Sequence, residues 1–184
     1  MVMALEGIRV VDMTVWHHGP GGGTFLADMG AEVIKVEERQ SGDPGRHSQA
    51  GIDNDIGLSY YFENNNRDKK GLAINLKTEK GHEVITRLLK KSDIFLSNFR
   101  KPALGRLGLS YKDVKGINPD IIYAHGSGQG AEGPLSSRQS NDIIGQFGVD
   151  MLAMEVPKDQ CLCGLILQTA VEQLCWDMER LLRC

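Results

Sequence analysis

The sequence predicts an α/β fold, built on a parallel sheet with flanking helices. Strand-length apolar runs alternate with helix-like segments, which is the pattern of βαβ units. The clearest unit is 8–37, where a strand, a glycine-rich turn, a short helix and a second strand follow one another. Because ligands of such sheets bind beyond the carboxyl ends of the strands, we expect a site between Asp12 and Gly23.

Each part of this first unit has its own residue pattern. The strands carry β-branched residues, the turn carries glycine and proline, and the helix has an apolar side that ends at a glycine stop. The residues are Ile8, Val10 and Val11 for the first strand, Gly19, Pro20 and Gly21 to Gly23 for the turn, Phe25, Leu26 and Met29 for the helix, Gly30 for the stop, and Val33, Ile34 and Val36 for the second strand.

The later elements follow from capping and periodicity. Thr78 is a good N-cap for a helix over 79–91, whose apolar residues recur at helical spacing, and Ser110 with Asp113 resembles a capping box. The remaining predictions are a loop over 39–58, strands over 71–76, 93–98 and 120–125, apolar helix positions at Val84, Ile85, Leu88 and Leu89, and a last helix over about 164–183.

The glycine run allows more than one interpretation from its residues. Glycine there lets a helix and a strand pack closely, or it belongs to a dinucleotide site. Gly19 and Gly21 fit the dinucleotide spacing, but Thr24 stands where the third glycine is needed. Glu37 and Glu38 end the second strand, where an acid that binds a ribose would lie. Both interpretations stay open at this point.

The composition is that of an ordinary globular domain. The chain has 184 residues, 41% hydrophobic and 24% charged, with a net charge of −3. We expect no nucleic-acid partner, no membrane span and a cytoplasmic location. The cysteines fall late, and their spacing and the absence of a nearby histidine disfavour a zinc site, so we expect no metal. They are Cys161, Cys163, Cys175 and Cys184.

Four blocks of the sequence occur in the order of a known family. They are LEGIRVVDMT…GP…FLADMGAEVIKVE…GD, YYFENNNRDKKGLAINLKTEKG (60–81), DIFLSNFRKPALGRLGLSYKDV (93–114) and INPDIIYAHGSGQGAEGP (117–134). Together, over roughly 4–146, they resemble the N-terminal part of class III CoA-transferases, the family of formyl-CoA transferase, carnitine and bile-acid CoA-transferases and α-methylacyl-CoA racemase.

The resemblance implies a fold, a reaction and an assembly. The fold is Rossmann-like, the N-terminal half of the family's large domain, with a domain over 1–150 and a divergent helical tail over 151–184. The reaction moves CoA between carboxylic acids through an aspartyl anhydride and an enzyme-bound thioester. Acyl-CoA and carboxylic acids are then the small-molecule partners, and a homo-oligomer or association with a full-length homologue is expected. Family members are about twice as long, so the resemblance implies a truncated chain.

The resemblance also implies which residues contact CoA. The family's CoA site maps to the stretch after the first strand, to cations that would bind phosphates, and to apolar residues beside the adenine. The matching residues are Val15, Trp16, His17, His18, Arg39, Ile74, Lys77, Asn98, Phe99 and Arg106. A metal at His17 and His18 is disfavoured, because neighbours in sequence do not point the same way.

The catalytic group is the weak part of the match. Gln168 and Thr169 follow Leu167, where the family has its catalytic aspartate, so that nucleophile is expected to be missing. Asp142 matches a family acid and is the one candidate, although capping a helix is its simpler role, and Asn141 replaces the histidine of the racemases. A non-catalytic module that binds CoA or acyl-CoA, or a partner subunit, is the first alternative. A dinucleotide-binding oxidoreductase domain is the second.

Overall fold

The predicted parallel sheet is confirmed. In the computed structural model, five parallel strands lie in the order β5-β2-β1-β6-β7. They are β1 (Arg9–Met13), β2 (Glu32–Glu38), β5 (Lys70–Ile74), β6 (Ile94–Ser97) and β7 (Ile122–His125). The structure describes residues 3–47, 57–130, 132–134 and 136, and the backbone of 52–53. Its strand order grows outward from β1 in both directions, as in Rossmann-like sheets.

The first βαβ unit ends its helix as the sequence predicts. Helix α1 (His18–Asp28) is followed by Gly30 at φ 100°, a backbone conformation that glycine adopts without strain. Gly30 N donates to Ala27 O at 2.8 Å and Ala31 N donates to Leu26 O at 3.0 Å. These two hydrogen bonds form a Schellman motif, which satisfies carbonyls that the helix leaves open and turns the chain into β2.

The glycine run is helical, which corrects the prediction of a turn there. Helix α1 begins at His18, so Gly19 to Gly23 form its first turns. Glycine occupies two of these positions for a steric reason. A Cβ on Gly23 would lie 2.5 Å from Asp12 Oδ2, and one on Gly19 would lie 2.6 Å from the Thr14 side chain. Glycine at these two positions lets α1 approach β1 closely, which is the packing interpretation of the run.

The segment between β2 and β5 contains more structure than the predicted loop. It holds a 3-10 turn (Pro44–His47), the short antiparallel pair β3 (Ile52–Asp53) and β4 (Leu58–Ser59), and helix α2 (Tyr60–Asn66). Ser59 caps α2 by accepting a hydrogen bond from Phe62 N at 3.3 Å. Strongly polar composition hid these short elements, since none has the periodicity that identifies a helix or strand.

The other predicted elements are present with small shifts of their ends. Helix α3 (Glu79–Leu89) starts after the Thr78 N-cap and ends two residues earlier than expected. Val84 is 40% exposed, so it lies outside the core in which Ile85 and Leu89 are fully buried. The capping box is confirmed at the start of α5 (Tyr111–Ile117), and a short helix, α4 (Lys101–Arg106), precedes it. The last helix lies outside the described residues.

The two faces of the sheet differ in chemistry. One face packs under α3, α4 and α5 and forms a core of apolar side chains that includes Val11, Val36, Phe95, Leu104 and Leu109. Side chains alternate along a strand, so Asp12 and Lys35 point to the opposite face from Val11 and Val36. The chain divides into two compact units, Met1–His125 and Gly126–Cys184. The predicted boundary at 150 lies outside the described residues and stays a prediction.

Replacing Gly23 by alanine tests the close approach of α1 to β1. The added Cβ would meet Asp12 Oδ2 at 2.5 Å and Lys69 Nζ at 3.0 Å, so either the helix or the buried Asp12–Lys69 pair must shift. We expect Gly23→Ala to lower the free energy of unfolding by about 1–3 kcal/mol. The control is Gly21→Ala, whose Cβ meets its nearest neighbour, Asn65 Oδ1, at 3.8 Å and should leave stability unchanged or slightly higher. Equal denaturant midpoints for the two variants would contradict the packing account.

Candidate functional site

The carboxyl edge of the sheet has one topological switch point, between β1 and β6. From β1 the chain builds outward through β2 and β5, and it then returns to build β6 and β7 on the other side. The topology therefore predicts a crevice between the segments that follow β1 and β6, which is where ligands bind in open sheets of this kind. The residues at this crevice are Thr14 to His18 after β1, and Asn98 and Phe99 after β6.

A single side chain bridges the switch point. Asn98 Oδ1 accepts a hydrogen bond from Val15 N at 2.9 Å, and Asn98 Nδ2 donates to Val15 O at 2.8 Å. The amide thereby satisfies both backbone groups of Val15, as a neighbouring strand would do. Two predicted site residues are thus brought together, and the Asn98 side chain holds the loop after β1 in place.

A buried ion pair lies beneath the same loop. Lys35 and Asp43 are joined at 2.8 Å between Nζ and Oδ2, and their side chains are 2% and 0% exposed. Lys35 Nζ also donates to Thr14 O at 2.9 Å. Asp43 Oδ1 accepts hydrogen bonds from Gly45 N at 2.8 Å and from Trp16 N at 3.1 Å. The pair therefore joins β2 and the segment after it to the backbone of the β1 loop.

A second buried ion pair lies next to the first. Asp12 Oδ2 and Lys69 Nζ are 2.7 Å apart, and the two side chains are 0% and 1% exposed. Lys69 Nζ also donates to Pro20 O at 2.7 Å and to Asn66 Oδ1 at 3.0 Å, so its three N–H groups all have acceptors. Burial lowers the pKa of Lys69, while the Asp12 carboxylate opposes that shift. Asp12 Oδ1 in turn accepts from Thr14 N at 3.0 Å.

Trp16 has a backbone conformation that is rare for its residue type. Its φ is 68°, in the left-handed region, which costs a residue with a Cβ roughly 1–2 kcal/mol. Its side chain is nevertheless 50% exposed at the crevice. A strained backbone combined with an exposed aromatic ring is typical of functional sites, where the surrounding structure maintains the strain.

The two glutamates that end β2 accept hydrogen bonds from nearby residues of the chain. Glu37 accepts two hydrogen bonds from Arg46, at 2.8 Å from Nε and 2.7 Å from Nη2, and a third from Asp43 N at 2.8 Å. Burial would raise the pKa of Glu37, but the hydrogen bonds from Arg46 and Asp43 hold it below its ordinary value. Glu38 accepts from Gln40 N and Ser41 N. This arrangement disfavours a ribose ligand for either acid, and Thr24 already breaks the dinucleotide spacing.

The predicted phosphate-binding cations lie at the surface. Arg39 follows β2 directly, and Lys77 lies three residues after the end of β5, so both are near the carboxyl edge. Ile74, the last residue of β5, is half-buried and packs against the core. Arg106 is exposed at the last turn of α4, the helix that follows β6. Their roles in binding stay predictions.

The aromatic and histidine predictions divide into two groups. Phe99 packs against the core, and its carbonyl lies 2.7 Å from His125 Nε2, which links the ends of β6 and β7. His17 and His18 are half-buried at the start of α1, and the His17 ring lies 5.7 Å from the Tyr61 ring. Across the described residues no group of three or more possible metal ligands occurs. Asp142 and the four cysteines lie outside the described residues.

The sequence analysis missed four residues that organise this edge. Asp12, Lys35, Asp43 and Lys69 form the buried pairs, and none of them was singled out. A signal existed for two of them, because Asp12 and Lys35 each have apolar neighbours on both sides within a strand and lie opposite each other in the register. A charge in a buried strand requires a partner, but the sequence does not show which distant residue supplies it.

The stretch from residue 5 to residue 162 matches the family model described as CoA-transferase family III. A similar curated protein is the succinyl-CoA:glutarate CoA-transferase of Mus musculus, 37% identical over 84% of this chain and 35% of its own length. Another is the formyl-CoA:oxalate CoA-transferase of Streptomyces avermitilis, 38% identical over 79% of this chain and 35% of its own. The chain thus spans about a third of the length of these relatives.

Solved structures give the same picture of the fold. A CAIB/BAIF family protein from Brucella suis superposes with a TM-score of 0.86 at 29% identity, covering 100% of this chain and 50% of that one. A hypothetical protein from Mycobacterium tuberculosis gives a TM-score of 0.74 at 34% identity, covering 86% of this chain and 43% of its own. Of the helices in the described residues, none has the length and apolarity that crossing a membrane requires.

The hydrogen bonds to Glu37 predict a pH dependence of stability. Its pKa in the folded protein is lowered from the ordinary 4.5, so its contribution is complete above that value and is lost as pH falls through the folded pKa. Glu37→Gln should therefore lose more stability relative to the parent near pH 7 than near pH 3. Chemical denaturation at both pH values measures this, with Glu83→Gln on the exposed face of α3 as the control. A Glu37→Gln deficit that is the same at both pH values would contradict it.

Proposed function

The chain belongs to CoA-transferase family III, and from this premise we propose that it forms the CoA-binding part of a site that transfers CoA between carboxylic acids. The observation that carries the proposal is the β1 loop at the switch point, held by Asn98 against Val15. The crevice lies where an open α/β sheet binds its ligand. The names of the relatives support the reaction class, and they do not identify the acyl groups that this chain would handle.

The chemistry of the edge suits an anionic ligand. CoA carries a 3′-phosphate and a pyrophosphate, which bind cations and backbone N–H groups. Helix α1 begins within the same loop, and the positive end of its dipole favours negative charge there. In the proposal, Lys77, Arg39 and Arg106 supply cations, while Ile74 and Phe99 supply apolar surface. Val15, Trp16, His17 and His18 would lie along the ligand.

Four carboxylates near the carboxyl edge are already engaged within the chain, so none of these four is suited to act as the nucleophile. Asp12 and Asp43 are buried in ion pairs, and Glu37 and Glu38 accept hydrogen bonds from their own segment. A carboxylate that attacks a thioester must reach the carbonyl carbon, form the anhydride and release CoA thiolate. We therefore place the nucleophile outside these four residues. Asp142 stays the candidate that the sequence offers, and a residue from a longer relative or a second copy is the other source.

Because these four carboxylates are bound within the chain, a second function is also favoured. In it, the protein is a module that binds CoA or acyl-CoA without catalysis. The two functions share the site and differ in chemistry. The purified chain would be incubated with an acyl-CoA donor and a carboxylic acid, and the new thioester would be measured. Product formation supports the transferase. Binding without product supports the module, or a chain that needs an oligomeric partner. We also propose a cytoplasmic location for the protein.

Calorimetric titration of the purified chain with CoA tests the proposal, with NADH as the control ligand. We expect binding of CoA, and a loss of affinity of about tenfold in Lys77→Ala and in Arg106→Ala, since each variant removes one cation that would bind a phosphate. Lys90→Ala is the matched control, because it removes a positive charge at the other end of α3, near the amino edge of the sheet.

The outcomes separate the hypotheses. CoA binding that all three lysine and arginine variants weaken equally would show only a general charge effect. A folded chain that binds NADH and not CoA would overturn the CoA assignment. A folded chain that binds neither ligand would overturn the proposal that the site is assembled within the described residues.

A further inference from the structure

The backbone of the loop after β1 is bound by four side chains, and three of them come from other segments of the chain. Thr14 N is bound by Asp12 and Thr14 O by Lys35. Both backbone groups of Val15 are bound by Asn98, and the N–H of Trp16 is bound by Asp43. Five backbone groups in three consecutive residues therefore have side-chain partners.

The conformation that these contacts maintain is strained at one residue. Trp16 has φ 68° and Asp68 has φ 60°, and these are the two residues other than glycine with positive φ in the described part of the chain. Aspartate tolerates this region through local hydrogen bonding, but tryptophan has no such compensation. The strain at Trp16 must therefore be offset by its surroundings, and the hydrogen bond from its N–H to Asp43 is the direct contact that does so.

The strained conformation leaves an indole exposed where burial would be favourable. Trp16 is 50% exposed at the switch point, whereas Val15 beside it is half-buried. A large aromatic ring gains stability when a ligand covers it. The fold thus offsets backbone strain with buried charges and still presents an apolar surface to solvent.

We propose that Asp43, fixed by Lys35, is a positioning residue for Trp16, whose contact with the ligand is part of the proposed function. The buried ion pair then serves to preform the CoA site in addition to stabilising the fold. Lys35 acts through Asp43, because its ammonium holds the carboxylate at 2.8 Å and also binds Thr14 O at 2.9 Å. This inference rests on the proposed function, since it assigns roles within the same CoA site.

Two substitutions at Trp16 separate the side chain from the backbone. Trp16→Gly removes the indole and the strain, because glycine adopts positive φ freely, whereas Trp16→Ala removes the indole and keeps the strain. We expect both variants to bind CoA at least about tenfold more weakly than the parent, which is the effect of removing an aromatic anchor. Trp16→Gly should have the higher melting temperature of the two. A parent that binds CoA and variants that bind it equally well would overturn the contact role.

Asp43→Asn tests the positioning role. The substitution keeps an acceptor for Trp16 N–H but removes the charge that faces Lys35. We expect it to weaken CoA binding about tenfold when residue 16 is tryptophan and to have little further effect when residue 16 is glycine. A purely structural role would weaken binding by the same factor in both backgrounds, which would overturn the proposal.

Fluorescence tests the contact between Trp16 and CoA while residues 16 and 43 stay unchanged. The chain has two tryptophans, so Trp176→Phe leaves Trp16 as the single tryptophan, whose emission can be excited selectively over that of the tyrosines. Saturating CoA should then reduce quenching of Trp16 by acrylamide, and unchanged quenching would overturn the contact role. A parent chain that binds no CoA would instead refute the proposed function, so the two failures are distinguishable.

Discussion

Two lysine–aspartate pairs, buried beneath the carboxyl edge of the sheet, constrain the rest of this structure. Each pair joins a strand residue to a residue from a later segment, Asp12 to Lys69 and Lys35 to Asp43. A buried charge without its partner costs about 3–5 kcal/mol, so neither segment can leave the edge without a large penalty. Through hydrogen bonds to Thr14 and Trp16, the pairs extend this rigidity to the loop at the switch point.

The steric features of the first βαβ unit follow from these charges. A helix that covers a buried ion pair must approach it closely, and Gly23 leaves space for the Asp12 and Lys69 side-chain atoms. The face of the sheet that carries the Asp12 and Lys35 side chains is therefore polar toward the carboxyl edge. Val10 and Val33 keep this face apolar toward the amino edge. The opposite face carries the apolar core and supplies most of the hydrophobic stabilisation. The two faces of the sheet thus have different roles, since one forms the apolar core and the other carries the charged residues that position the β1 loop.

Local sequence signals predicted the fold well, and they predicted the site less completely. Periodicity and capping located the five strands and helix α3, because Thr78 and the spacing of Ile85 and Leu89 act within a few residues. The glycine run was assigned to a turn because the pattern does not reveal that a strand side chain occupies the space of a Cβ. Asp43 and Lys69 were missed for a related reason, since the residues around them do not show that either one pairs with a charge inside a strand. The resemblance to family members pointed to Val15 and Asn98, and the structure shows how these two residues contact each other.

The central claim is that side-chain contacts hold the β1 loop in the conformation that binds CoA. The most direct test compares CoA affinity and stability in Asn98→Ala and Asn118→Ala. Asn118 Nδ2 donates to Leu89 O at 3.0 Å and to Ser92 O at 2.9 Å, so its amide binds backbone groups as Asn98 does, but at the amino edge. Each variant should lose about 1–3 kcal/mol of unfolding free energy. The account predicts that Asn98→Ala alone weakens CoA binding, by about tenfold or more, and equal affinities in the two variants would contradict it.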